Sequence, residues 1–118
     1  MSKKITVLVI GCGNMGASHA TAYHNHPSFS ICGLVSRGKS KDELNDSLKS
    51  NYTLFTDYKQ AIINTKPDAV CISTYPDTHK EISLFALENN CHIFLEKPIA
   101  DDLKGSREII NKAVVPCL

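Results

Sequence analysis

A doubly wound α/β domain, a parallel sheet with helices on both faces, is predicted by three observations. Four short runs are almost continuously apolar and rich in β-branched residues, as expected of strands covered on both faces. The segments between them switch to helical spacing, and three helix start signals fall within those segments. Right-handed crossovers turn such an alternation into a parallel sheet.

In chain order, the first strand is Ile5-Thr6-Val7-Leu8-Val9-Ile10. The helix after it carries Met15, His19, Ala22 and Tyr23 at i, i+4, i+7 and i+8. Ile31 to Val35 reads as the second strand, Ser40 with Glu43 starts the second helix, and Tyr52 to Phe55 reads as an edge strand. Asp57 with Gln60 starts the third helix, ahead of a strand from Ala69 to Ser73. Thr78 with Glu81 marks the helix of Ile82, Phe85 and Ala86, and Cys91 to Leu95 is the last of the buried runs. A final helix from about Asp101 presents Leu103, Arg107, Ile110 and Val114 on one face, and its acidic first turn suits the helix dipole.

A length of 118 residues fits one folding unit, taken as residues 1–118. The pattern stops at Val114-Val115-Pro116-Cys117-Leu118, with no sign of a second domain. A net charge of +1, acids and bases interspersed, provides no basic stripe for nucleic acid. No apolar run is long enough to span a membrane, and the N-terminus lacks the pattern of a signal peptide. The five cysteines form no C-x-x-C pair and read as reduced thiols of a cytoplasmic protein. His24-Asn25-His26 lacks a third ligand, so no metal site is expected. With no second domain to cover it, apolar surface on the last helix and the last residues predicts a homodimer or poor solubility.

Gly11-Cys12-Gly13-Asn14-Met15-Gly16 follows the first strand and opens a helix. In that context the glycines make a tight turn, admit a pyrophosphate and let helix pack on strand, while the helix N-terminal amides meet the diphosphate. This is the fingerprint expected of a Rossmann-type NAD(P)-binding domain, the alternatives being a glycine-rich structural turn or the related turn of a methyltransferase. Cys12 is either a redox-sensitive thiol near a helix N-terminus or, the better reading, a small filler at a variable position. Where an NAD enzyme usually places an acid for the ribose 2′-hydroxyl, this chain has Ser36-Arg37. Ser36 can hydrogen-bond a 2′-phosphate, and the Arg37 guanidinium can pair with it and stack on adenine, so NADP(H) is preferred, with NAD(H) still open.

Ser73-Thr74-Tyr75-Pro76-Asp77-Thr78-His79 leads from strand into helix beside the glycine loop, where Ser73, Thr74 and Tyr75 are placed to line a nicotinamide. His79 joins them as a cofactor-binding candidate or is a surface histidine. The last strand ends in Glu96-Lys97-Pro98, of which one of the first two should face the crevice, and the proline makes a cis bond possible.

Taken together, Gly11 to Gly16, Thr74 through His79 and Glu96-Lys97-Pro98 resemble the N-terminal domain of the glucose-fructose oxidoreductase, inositol dehydrogenase and rhizopine catabolism family, Gfo/Idh/MocA. The resemblance covers essentially the whole chain, and Glu-Lys-Pro is its specific element. It implies an NAD(P)-dependent oxidoreductase that exchanges a hydride with a hydroxyl carbon of a sugar, cyclitol or similar polyol. It further implies that Lys97 is catalytic, contacting the substrate hydroxyl and assisting proton transfer, that Lys97-Pro98 is a candidate cis bond, and that a C-terminal α/β domain, absent here, completes the site. Glu96 and Lys97 count with the cofactor-binding set. Asn89-Asn90 replaces the family's usual glycine, a mild change because asparagine tolerates a left-handed cap. A non-catalytic dinucleotide-binding module or redox sensor is the alternative reading.

Overall fold

The computed structural model describes residues 4–97, 100 and 102–114. Along them run β1 (Ile5–Ile10), α1 (Asn14–Asn25), β2 (Phe29–Val35), α2 (Ser40–Ser47) and β3 (Leu54–Phe55), then α3 (Tyr58–Thr65), β4 (Ala69–Ile72), α4 (Pro76–Glu88), β5 (His92–Leu95) and α5 (Leu103–Val114). The strands form one parallel sheet in the order β3-β2-β1-β4-β5. The predicted alternation is therefore the one built. The expected Lys97-Pro98 geometry and residues 115–118 lie outside the described residues.

The continuous apolarity of β1 follows from two cores. Val7 and Val9 pack with Ala20 of α1 and Leu44 of α2, whereas Leu8 and Ile10 pack with Ala61 and Ile62 of α3 and Ile82 and Ala86 of α4. Each fully buried aliphatic side chain contributes about 1.5–3 kcal/mol relative to exposure, before the entropy of ordering it. β2 departs from strict alternation. Its register with β1 jumps from Val7↔Ile31 to Leu8↔Gly33, so Cys32 is an extra residue. Ile31 and Leu34 consequently share the α1 side, while Cys32 and Val35 share the other. At the opposite end of β1, the Asp68 carboxylate accepts from the Thr6 amide at 3.0 Å and hydroxyl at 3.1 Å, fixing the β1–β4 register.

Three expectations need correction. β5 is not covered on both faces: it is an edge strand whose Ile93 and Leu95 pack toward α4, leaving His92 and Phe94 exposed. On α1 the buried residues are Gly16 and Ala20, while Met15 is 52% exposed and Ala22 is exposed. Small residues let the helix sit close to the sheet, and apolar spacing alone does not register them. The same holds for α5, where Gly105 and Ile109 are buried and Leu103, Arg107 and Ile110 are exposed. The Val114 side chain is outside the described set.

The helix starts also sort out physically. Asp57 caps α3 as expected, its carboxylate accepting from the Lys59 amide at 3.1 Å. Ser40 does not cap α2; the Ser36 hydroxyl accepts from the Lys41 amide at 3.1 Å instead. α4 begins two residues before Thr78, with Pro76 in the first turn, where a missing N–H costs nothing. The acid at the start of α5 is Asp102, whose carboxylate accepts from the Gly105 amide at 2.6 Å. At the end of α4, Asn90 takes φ 62°, the left-handed conformation anticipated for it. Among the described residues, no helix is long and apolar enough to cross a membrane.

Asp57→Ala is expected to lower unfolding free energy by about 1 kcal/mol. Ser40→Ala should change it by less than about 0.5 kcal/mol, because no helix-capping bond is lost. Urea denaturation of both variants checks this.

Candidate dinucleotide site

Strand order reverses at β1, whose neighbours are β2 on one side and β4 on the other. Open α/β sheets form a ligand crevice at the carboxyl edge of such a switch point. A cavity of about 650 Å³ opens there.

Its floor is the turn after β1. The Gly11 amide donates to Val35 O at 2.9 Å and the Ser73 amide to Ile10 O at 2.9 Å, stitching the turn between β2 and β4. Gly11 has φ +96°, and a Cβ there would stand 2.5 Å from Ser73 O. A Cβ on Gly16 would stand 1.8 Å from Gly11 O, so neither position admits a side chain. Gly13 is different: nothing lies within 4 Å of where its Cβ would be. That opening sits over the first turn of α1, where Gly13 is the N-cap and supplies no side-chain hydrogen bond to the leading amides. Uncapped amides beside empty space fit an anionic diphosphate.

The structure places Gly11, Gly13, Asn14, Met15, Ser36, Arg37, Ser73, Thr74 and Tyr75 around this cavity. Gly16 lies beneath it. Cys12 also contributes to the wall, but its residue is only 6% exposed. Burial pushes its thiol up to about 11, against the lowering influence of Lys41 and of the bond from its Sγ to Val35 O. Desolvation outweighs both lowering influences, which favours the filler reading over a reactive thiol.

On the β2 side, the Ser36 hydroxyl donates to Gly38 O at 3.0 Å while accepting from Lys41, and Lys41 Nζ donates to Gly38 O at 2.6 Å. This closes the Ser36–Lys41 turn and leaves Arg37 exposed on the rim. On the β4 side, His79 is only 1% exposed and is no surface histidine. Its Nε2 donates to Thr74 O at 3.0 Å, so it supports the loop from below rather than lining the cavity. Thr78 Oγ donates to Tyr75 O at 2.7 Å and lies 2.6 Å from Thr74 Oγ.

Glu96 and Lys97, at the end of β5, lie outside the cavity lining. Glu96 turns to the α1 side, where His19 Nε2 meets Oε2 at 2.7 Å. Lys97 is exposed. The hydrogen bond from His19 and the favourable charges around Glu96 hold its carboxyl below the usual carboxylate range.

Lining residues that motif reasoning did not single out include Ile10, Val35, Ser40, Thr56, Tyr58, Glu81 and Ile82. Tyr58 Oη donates to Glu81 Oε1 at 2.9 Å across 23 residues, a pairing no local pattern signals. Burial, and then the Glu81 carboxylate, raise the Tyr58 phenol well above its ordinary value. It stays a neutral donor.

The strand order, glycine turn and uncapped helix define a dinucleotide-binding α/β domain. The family model of the oxidoreductase family with an NAD-binding Rossmann fold, Gfo/Idh/MocA, matches residues 5–114. The chain belongs to that family. It is 26% identical over 113 residues to D-glucoside 3-dehydrogenase of Escherichia coli (strain K12), covering 95% of this chain and 32% of that protein. It is 30% identical over 112 residues to inositol 2-dehydrogenase of Corynebacterium glutamicum (strain R), covering 94% and 33%. The structure of myo-inositol dehydrogenase from Lactobacillus casei in complex with NAD(H) and myo-inositol has the same fold, with a TM-score of 0.89, 24% identity and coverage of 97% of this chain and 34% of that one. The chain thus spans about a third of the length of these relatives.

In the folded protein at pH 7.5, Cys12 and Cys71, both held near 11 chiefly by burial, should resist iodoacetamide. Both should label rapidly in denaturant, as peptide mass mapping will read.

Proposed function

We propose that this domain binds NADP(H) in preference to NAD(H) and serves a dehydrogenase acting on a hydroxyl carbon of a sugar, cyclitol or related polyol. The observation that carries the cofactor reading is the cradle at Gly13, open space set over the uncapped amides of α1. Gly11 and Gly13 through Met15 would hold the diphosphate, Ser36 and Arg37 the adenosine ribose and its phosphate, and Ser73 through Tyr75 the nicotinamide side. Gly16 and His79 keep those loops in place.

The phosphate preference is supported by the β2 edge, which has a hydroxyl at 36 and an exposed guanidinium at 37 where a carboxylate would repel a phosphate. Arg37 is uncommitted to the turn that Ser36 and Lys41 close, so it can reach a ligand. The substrate class is supported by the names of the relatives, inositol 2-dehydrogenase and D-glucoside 3-dehydrogenase. A bound nicotinamide supplies or accepts the hydride. Lys97, exposed at the end of β5, is the residue to which we assign contact with the nicotinamide side of the cofactor and with the substrate hydroxyl. Work in the cytoplasm is consistent with Cys12, Cys32, Cys71 and Cys91 being free thiols.

Fluorescence titration with NADPH and NADH tests the cofactor reading. NADPH should bind the more tightly, and Arg37→Ala should remove about tenfold of that advantage, the scale of one charge-assisted contact. Binding of neither nucleotide would overturn it. Leu103 and Ile110, 67% and 46% exposed on α5, are the surface assigned to a second copy. Light scattering should then show a mass that rises toward the dimer with concentration.

A further inference from the structure

His19 stands one turn beyond Gly16 on α1, and Glu96 directly follows β5. Their side chains meet at 2.7 Å across 77 residues. The carboxylate can only accept, so Nε2 carries the hydrogen. Phe94, two residues earlier on the same side of β5, sets its ring against the imidazole at 4.8 Å and 63°. The Glu96 amide donates to Ile72 O at 3.0 Å, so the backbone is still paired with β4 where the side chain is captured. His19 is thus gripped by two consecutive α1-side residues of an otherwise open strand face.

The fold does not require this grip. Gly16 and Ala20 already seat α1 in the core. The pair is partly buried, its side chains 22% and 23% exposed, and a single hydrogen bond of this kind adds little net stability. What the pair controls is direction. With Glu96 committed to α1, the next residue leaves the strand on a defined course, and the next residue is Lys97. β5 adjoins β4, so this segment lies on the side of the sheet opposite the Ser36–Arg37 edge, just beyond the residues that line the cavity.

We propose that His19 is a positioning residue for the nicotinamide end of the crevice, holding Glu96 on the α1 side and so setting the place of Lys97. This rests on the reading of the crevice as a dinucleotide site. A role confined to seating α1 would act first on the diphosphate turn at its N-terminus and would weaken every ligand that carries a diphosphate. A positioning role acts only on ligands that carry the nicotinamide.

Calorimetric titration of the 118-residue chain separates the two. The ligands are NADPH and its nicotinamide-free counterpart 2′-phospho-ADP-ribose, or NADH and ADP-ribose if NADH is the dinucleotide bound. His19→Leu should weaken the dinucleotide about tenfold and leave the nicotinamide-free ligand within about twofold. His19→Gln, which keeps a donor, should bind both nearly as the original chain does. Glu96→Leu, which removes the acceptor, should reproduce the split, and melting curves confirm that each variant is folded. Equal loss for both ligands, or no loss for either, overturns the proposal while the cofactor reading stands. If the unaltered chain binds neither dinucleotide, the crevice reading fails and this proposal fails with it.

Discussion

Everything at the carboxyl edge of the sheet depends on how closely Gly16 approaches Gly11. Here a helix backbone touches the turn that precedes it, and that turn touches the end of β4 at Ser73. The end of β1, the start of α1 and, from a distant part of the chain, the end of β4 approach closely with no side chain at Gly11 or Gly16 between them. The contact also aims α1: with Gly16 and Ala20 against the sheet, the helix delivers its first amides to the opening above Gly13. Any side chain at Gly16 would lift the helix and move those amides, so packing and anion recognition are one constraint.

The loops around the crevice are each braced by a side chain working through an element below or beside them. Ser36 ties the β2 turn to α2, His79 and Thr78 tie the β4 loop to α4, and His19 ties the β5 end to α1. Bracing of this kind lowers the ordering cost of ligand binding, because the loops are already held before the ligand arrives. It also explains a buried histidine whose role is to donate to a carbonyl.

The fold and the glycine turn were legible because their signals are local. β1 reads as a doubly covered strand from six consecutive residues, and the glycine motif carries its chemistry within one turn. β5 was misread because the run Cys91 to Leu95 is apolar whether one face is covered or two. Which faces of α1 and α5 are buried was misread because Gly16, Ala20 and Gly105 are buried for their smallness, and a search for large apolar residues passes over them. Ser40 and Thr78 matched a capping pattern, but Ser36 and Pro76 act earlier in the chain. Tyr58 with Glu81 and His19 with Glu96 were invisible for a simpler reason: their separations of 23 and 77 residues carry no periodicity.

Ser36 leaves a trace beyond its own hydrogen bonds. Its hydroxyl accepts from the first turn of α2 and also borders the crevice, so the position is answerable to two demands at once. The side chains that satisfy a helix start are serine, threonine, aspartate and asparagine. Among these are both a hydroxyl that tolerates a phosphate and a carboxylate that refuses one. Replacement of Ser36 by another of these residues would keep a partner for the Lys41 amide while changing the charge at the crevice edge.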